Sequence, residues 1–172
     1  MGIYPTKIYN NDLGVKRREY YEYIKEHKQN VKKCFNKYAD ILHEFLDCNM
    51  DILKDNVEKH DDSKFSFEEC ENYRQFFFPT ILETTDKNKM NIGWLNHIHL
   101  NKHHWNHWVI VDSDGITALD MPVEYIAEML LDWAAMGLKF NNSTKDFYKN
   151  NKDKMVLSPN TMLLIDRIID QF

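Results

Sequence analysis

The stretch "PVEYIAEMLLDWAAMG", residues 122–137, decides the fold class of this 172-residue chain. It is strongly apolar, which predicts a helix packed in the core. Pro122 suits the first turn of such a helix, and Gly137 suits its C-terminal end. The helix also carries Glu128 and Asp132 one turn apart on the same face, although a buried carboxylate without a partner is costly. Asp132 on this helix either caps or pairs with a surface cation, or has a functional role, and the potential ligands elsewhere in the sequence favour the functional role.

Helical periodicity continues on both sides of this segment. Apolar residues recur at three- and four-residue steps from about Val15 to Asp47, and a second helical stretch, "MDILKDNVEKHDD", follows. Ser66 with Glu69 three residues later predicts a capping box at the start of the next helix, which Pro79 ends. Further helices are predicted over about 90–109, 143–152 and 158–172. The stretch "VDSDGITALDMP" predicts a turn with a short extended piece on each side.

These patterns predict an all-α fold. Alternating strand patterns are nearly absent, so we expect a single-domain helical bundle over residues 15–172. Residues 1–14, with Gly2, Pro5 and "NNDLG", predict an irregular N-terminal arm.

Composition excludes several classes of protein. A hydrophobic content of 43% and an aromatic content of 13% describe a folded globule. The formal net charge of −5 argues against nucleic acid as a partner. No apolar run approaches the roughly 18 residues of a membrane span, and no signal peptide is evident. Three cysteines without a CxxC pair argue against disulfides and thiolate zinc sites, and predict a cytoplasmic protein.

Five of the eight histidines fall within "WLNHIHLNKHHWNHW", residues 94–108. On one continuous helix His99 and His103 would lie about 40° apart and could aim at one point. His104 would lie about a further 100° around the axis. The stretch predicts either an imidazole-rich metal-binding face or a solvated surface helix.

Three further pieces favour the metal-binding interpretation. His60 and Asp61 are adjacent in "EKHDDSK" and offer one nitrogen and one carboxylate ligand, a mixture that suits divalent transition metals. His27 lies on the amphipathic helix "YIKEHKQNVKKCF", and Asp132 lies on the apolar helix described above. In chain order the potential ligands are His27, His60, Asp61, His99, His103, His104 and Asp132.

This order resembles the HD-domain superfamily of metal-dependent phosphohydrolases. In that family one helix carries a His, the next a His-Asp pair, and a later helix an Asp. A two-metal branch inserts one His and then a His-His pair before the final Asp. The local sequence "HDDSK" is similar to the family's HD-x-x-K. The GYP-like motif of the cyclic-dinucleotide branch does not occur beside the pair.

The chain also resembles an uncharacterised family of bacterial and phage proteins, a domain of unknown function. The stretches "HDDSKFS", "NKHHWNHW" and "MPVEYIAEMLLDWAAMG" carry this second resemblance, which covers nearly the whole chain from about Tyr20 onward.

The HD resemblance implies a ligand set and two catalytic residues. His27, His60, Asp61 and Asp132 would hold one divalent ion, and Asp61 could bridge to a second ion held by His99, His103 and His104. The ions would be Mn, Fe, Co, Ni or Zn, one or two per chain. Asp61 and Lys64 would serve catalysis, with Lys64 touching substrate phosphate. Further expectations are Arg74 and Lys102 at substrate and Glu128 as an outer-shell acceptor that orients a ligand histidine. His97 and His107 are expected as outer-shell or substrate groups.

Two functional hypotheses follow. The first is an HD-type, metal-dependent phosphohydrolase that acts on a nucleotide or related small phosphoester. The second is a non-catalytic, all-α binding protein with a structural metal or none. Exposed aromatic residues such as Trp108 and Trp133 are compatible with a homodimer. The separating feature is geometric, because only the first hypothesis requires the distant ligands to converge on an open site.

Overall fold

Helices make up most of the chain, as the apolar periodicity predicts. The computed structural model describes the backbone of residues 6–172 and the side chains from residue 12 onward. Its helices are α1 (Thr6–Leu46), α2 (Met50–Lys59), α3 (Phe67–Phe77), α4 (Lys87–Leu100), α5 (Val123–Phe140), α6 (Thr144–Asn151) and α7 (Pro159–Ile168). Two short strands, β1 (Val109–Asp112) and β2 (Gly115–Ala118), pair as an antiparallel hairpin.

The chain divides into two compact units. Unit one consists of the chain up to Glu26 together with Asp61–Leu100. Unit two consists of His27–His60 together with Asn101–Phe172. Helix α1 contributes its first part to unit one and the remainder to unit two. The single domain expected over 15–172 stays a prediction.

The core of unit two is built around α5. Ile126, Leu130 and Leu131 of this helix are fully buried, and α2 adds Leu53 and Val57 to the same cluster. Each fully buried aliphatic side chain of this size contributes roughly 1.5–3 kcal/mol relative to exposure. This apolar packing fixes the position of α5, and with it the carboxylates that the helix carries.

Unit one has a smaller core. Its buried apolar residues are Tyr20, Ile24, Cys70 and Tyr73. Helix α4 packs closely on α3 because Gly93 faces it, where an added Cβ would lie 3.1 Å from the Cβ of Asn72. This close packing brings the polar residues of α3 and α4 into contact.

Helix boundaries differ from expectation at two places. Helix α1 begins at Thr6, so residues 6–14 are helical where an irregular arm was predicted, and residues 1–5 lie outside the described part of the chain. Helix α5 does not end at Gly137 but continues to Phe140, where Asn141 adopts a left-handed conformation. Gly137 instead makes room, because a Cβ there would clash with the carbonyl oxygen of Asn142.

The helix predicted over 90–109 is present, but it is shorter at its C-terminal end than expected. Helix α4 ends at Leu100, a turn follows, and a single 3₁₀ turn over Trp105–Trp108 leads into β1. His99 and His103 therefore do not share a helix, and the argument from their 40° separation does not apply.

The predicted capping box was only partly right. Ser66 occupies the N-cap of α3, but its side chain makes no capping hydrogen bond. Glu69 is fully buried and binds the side chains of Asn96 and His97 instead. A tertiary polar contact has replaced the local one.

Arg74 is a structural residue in unit one. Its side chain is only 2% exposed, and its guanidinium donates two hydrogen bonds of 2.7 and 2.6 Å to the carboxylate of Glu83. A third goes to Glu71. The expected substrate contact of Arg74 is therefore not supported, since its donors already serve the fold.

We predict that Glu83→Gln destabilises the protein by about 3 kcal/mol at pH 7, because it leaves the buried guanidinium of Arg74 underpaired. The hydrogen bond from Arg74 is the largest influence on the Glu83 carboxyl, and it lowers the pKa to about 2 from 4.5. A depressed pKa stabilises the fold fully above about pH 4.5, and this contribution is lost as the pH falls toward 2. Urea unfolding at pH 7 and at pH 2 measures the change in the free energy of unfolding.

The matched control is Glu68→Gln, at an exposed position on α3, the helix that carries Arg74. Equal unfolding free energies for the two variants at pH 7, or a Glu83→Gln penalty that persists undiminished at pH 2, would contradict this interpretation.

None of the helices in residues 6–172 combines the length and apolar content needed to cross a membrane.

Candidate metal centre

Five titratable side chains of unit two converge from separate stretches of the chain. His27 lies on α1, His60 follows the last residue of α2, and His103 lies in the turn after α4. Glu128 and Asp132 lie one turn apart on α5. We call these five residues the unit-two cluster.

Three nitrogens and one carboxylate face each other within the unit-two cluster. The Nε2 atom of His27 lies 3.0 Å from Oδ1 of Asp132 and 3.2 Å from Nε2 of His60. The Nε2 atom of His60 lies 3.8 Å from the same Oδ1, and Nε2 of His103 lies 4.0 Å from Oδ2. Ligands of one ion are separated by such distances, since transition metals bind nitrogen and oxygen at about 2.0–2.2 Å.

Glu128 organises two of the three imidazoles. Its Oε1 atom lies 2.8 Å from Nδ1 of His60 and 3.0 Å from Nδ1 of His103. An Nδ1–H that donates to a carboxylate leaves the Nε2 lone pair of the same ring available as a ligand. One carboxylate thus fixes the tautomer and the orientation of both rings.

The unit-two cluster is almost fully buried. His27, His60, His103 and Glu128 are 8%, 1%, 2% and 5% exposed. The Asp132 side chain is 14% exposed and so is the member most accessible to solvent.

Both carboxyl groups are held in the ionised state. Burial alone would raise the pKa of Glu128, but hydrogen bonds from His103 and His60 outweigh it and lower the pKa to about 2. Burial would likewise raise the pKa of Asp132, but the hydrogen bond from His27 and the nearby imidazole of His60 take it well below its ordinary value. Ionised carboxylate and imidazole are the forms that bind divalent metals.

The unit-two cluster contains two overlapping groups that could hold a metal ion. His27, His60 and Asp132 form one group, and His60, His103 and Glu128 form the other, with the potential ligand atoms of each group within 4.8 Å of one another. Nitrogen donors with a carboxylate suit borderline divalent ions such as Mn, Fe, Co, Ni and Zn. The chain therefore has buried residues whose chemistry and spacing fit such an ion.

A second buried polar group lies in unit one. The imidazole of His97 lies between two carboxylates, with Nδ1 2.9 Å from Oε2 of Glu69 and Nε2 3.3 Å from Oδ1 of Asp61. Lys64 contacts the other oxygen of Asp61 at 2.5 Å. Burial alone would lower the pKa of His97, but hydrogen bonds with Asp61 and Glu69 raise it. Asp61 itself adopts a left-handed conformation with φ of 59°.

The predicted site residues fall into three sets. His27, His60, His103 and Asp132 meet in the unit-two cluster. Asp61 and Lys64 bind each other in unit one, so the metal and substrate roles expected of them stay predictions. His99 is exposed on α4, and His104 is half-buried with its ring beside that of His103.

Sequence reasoning missed Glu69 and undervalued two other residues. Glu69 was assigned to a helix cap. His97 was expected as an outer-shell or substrate group, and it is buried between two carboxylates. Glu128 does have the orienting position expected of it, but it accepts from two histidines rather than one. The signal for Glu69 was weak, because Glu three residues after Ser usually indicates a cap.

The chain belongs to a family of unknown function, DUF5662, whose model matches residues 16–171. No curated protein and no solved structure matches it. The match agrees with the resemblance to an uncharacterised family, and it assigns no reaction.

We predict that His103→Ala lowers the affinity for a divalent transition metal, whereas His99→Ala does not. His103 belongs to the unit-two cluster, and the side chain of His99 is exposed. Loss of a direct ligand should exceed the roughly 10- to 100-fold effect typical of outer-shell changes. Competition with a chromogenic chelator measures both dissociation constants. Equal losses in the two variants would count against the assignment of ligands.

Proposed function

We propose that the unit-two cluster binds a divalent transition-metal ion and that the protein is a metal-dependent phosphohydrolase of HD type. The observation that carries the proposal is the meeting of three histidine Nε2 atoms with the carboxylate of Asp132. His27, His60 and Asp132 are also the positions that match the HD pattern in chain order. Their convergence supports an HD-like arrangement of the ligands.

The residues of the unit-two cluster would divide between two tasks, holding the ion and orienting its ligands. A bound divalent ion acidifies a coordinated water and neutralises charge on phosphoryl oxygens. His27, His60, His103 and Asp132 would hold the ion through neutral nitrogens and one ionised oxygen. Glu128 would keep the Nδ1 protons of His60 and His103 in place, so that both rings present Nε2.

The substrate class that we propose rests on the chemistry of the ligands and on the resemblance to the HD superfamily. Hydrolysis of a phosphoester needs charge neutralisation and a water activated at neutral pH, and both can come from one ion. Small phosphoesters, including nucleotides, are therefore the substrates to test first. Asp132 marks the side from which such a substrate would approach.

A structural metal is the second candidate function. Four protein ligands are enough to complete the tetrahedral coordination of a structural ion, and the unit-two cluster offers four. The deep burial of its three histidines favours this alternative. In that case the chain would be a binding protein that the ion stabilises.

Hydrolysis assays separate the two candidates. We predict that metal-loaded protein hydrolyses at least one compound in a panel of nucleotides and simple phosphomonoesters and phosphodiesters. Removal of the ion with a chelator should abolish the activity, and re-addition should restore it. Asp132→Asn should lower kcat/KM by about 100-fold or more, because the change removes an anionic ligand (~3 kcal/mol).

The control for this assay is Asp153→Asn, which changes a carboxylate exposed to solvent. A protein that binds one ion tightly but hydrolyses none of the compounds, and that unfolds at a lower temperature without the ion, would support the structural-metal candidate. A protein that binds no ion would contradict both.

A further inference from the structure

Asn56 lies on the same face of α2 as His60. The two residues are one helical turn apart, so their side chains are neighbours on the helix surface. Leu53 and Val57 complete the buried stripe of this helix. Asn56 is therefore a polar residue on the face that packs into unit two and that presents His60.

The side chain of Asn56 is poorly suited to a purely structural role. Its Nδ2 atom is buried, and among residues 12–172 no group accepts a hydrogen bond from it. A buried donor without an acceptor destabilises a fold. Asparagine is also a weak helix former in the interior of a helix. A leucine at this position would avoid both penalties.

We infer that Asn56 binds substrate by donating its amide N–H to a phosphoryl oxygen. The inference rests on the proposed phosphohydrolase function, since it requires an anionic oxygen next to His60. The geometry that supports it is a buried, unsatisfied donor one turn from a proposed metal ligand. A neutral amide adds a directed hydrogen bond there without adding a second cation beside the ion.

The test uses inorganic phosphate as the probe and Asn56→Leu as the variant. The protein is saturated with the divalent ion that the wild type retains, and phosphate binding is measured by calorimetry. We expect the dissociation constant for phosphate to rise about tenfold or more, as for a lost hydrogen bond to a charged group. The unfolding temperature of metal-free protein should stay the same or rise, because leucine removes the unsatisfied donor.

The opposite pattern would overturn the inference. If Asn56 is structural, Asn56→Leu should lower the unfolding temperature and leave phosphate affinity unchanged. Asn36→Leu is the matched control, since Asn36 is exposed on α1. This variant should leave both the phosphate affinity and the unfolding temperature unchanged. Should Asn56→Leu fail to fold, Asn56→Asp keeps the shape of the side chain and replaces the donor with an acceptor. Phosphate affinity equal to wild type in Asn56→Asp would overturn the inference.

Failure of the proposed function gives a different result. Wild-type protein that binds no metal removes both the proposed function and the role of Asn56. Wild-type protein that binds metal but no phosphate retains the metal site and overturns the phosphoester class, together with this inference. Metal and phosphate binding that Asn56 variants leave unchanged overturns the role of Asn56 alone.

Discussion

The hydrogen bonds from His60 and His103 to the single carboxylate of Glu128 are the interaction on which the candidate site depends. Without that acceptor, two buried imidazole N–H groups would lose their partner, at a cost of about 1–3 kcal/mol each. The tautomer and the orientation of the two rings would also lose the constraint that Glu128 imposes. Their Nε2 atoms point toward Asp132 because Glu128 holds the opposite side of each ring.

Helix α5 reconciles two conflicting requirements. Its apolar residues form the centre of the unit-two core, and its two carboxylates lie within the same buried environment. Burial alone would favour the protonated acids, yet the pKa values of Glu128 and Asp132 are both lowered because histidines bind them. The packing that stabilises the unit thus also orients the polar cluster.

Chain order predicted part of this arrangement. His27, His60 and Asp132 could be selected from the sequence because a His, a His-Asp pair and a distant Asp occur on successive helical segments. Their meeting is a tertiary feature, and no local pattern gives distances between them. The structure brings these three side chains together, whereas their role as metal ligands stays a prediction.

The errors came from places where tertiary contacts override local patterns. The stretch 90–109 contains no proline or glycine after Gly93, so nothing in it marks the end of α4 at Leu100. From the sequence, Glu69 could belong either to a capping box or to a buried ion pair. Only the packing of α4 on α3, which brings His97 to Glu69, decides between the two. Gly137 is needed because a side chain there would clash with the carbonyl oxygen of Asn142. It does not end the helix, since α5 continues to Phe140.

The X-ray absorption spectrum of the protein with its bound metal tests the central claim most directly. It reports the number and type of atoms around the ion without any assumption about activity. The proposed ligands predict scattering from about three imidazoles, with nitrogen at about 2.0–2.2 Å, together with at least one oxygen. An ion surrounded by oxygen alone, without imidazole scattering, would contradict it.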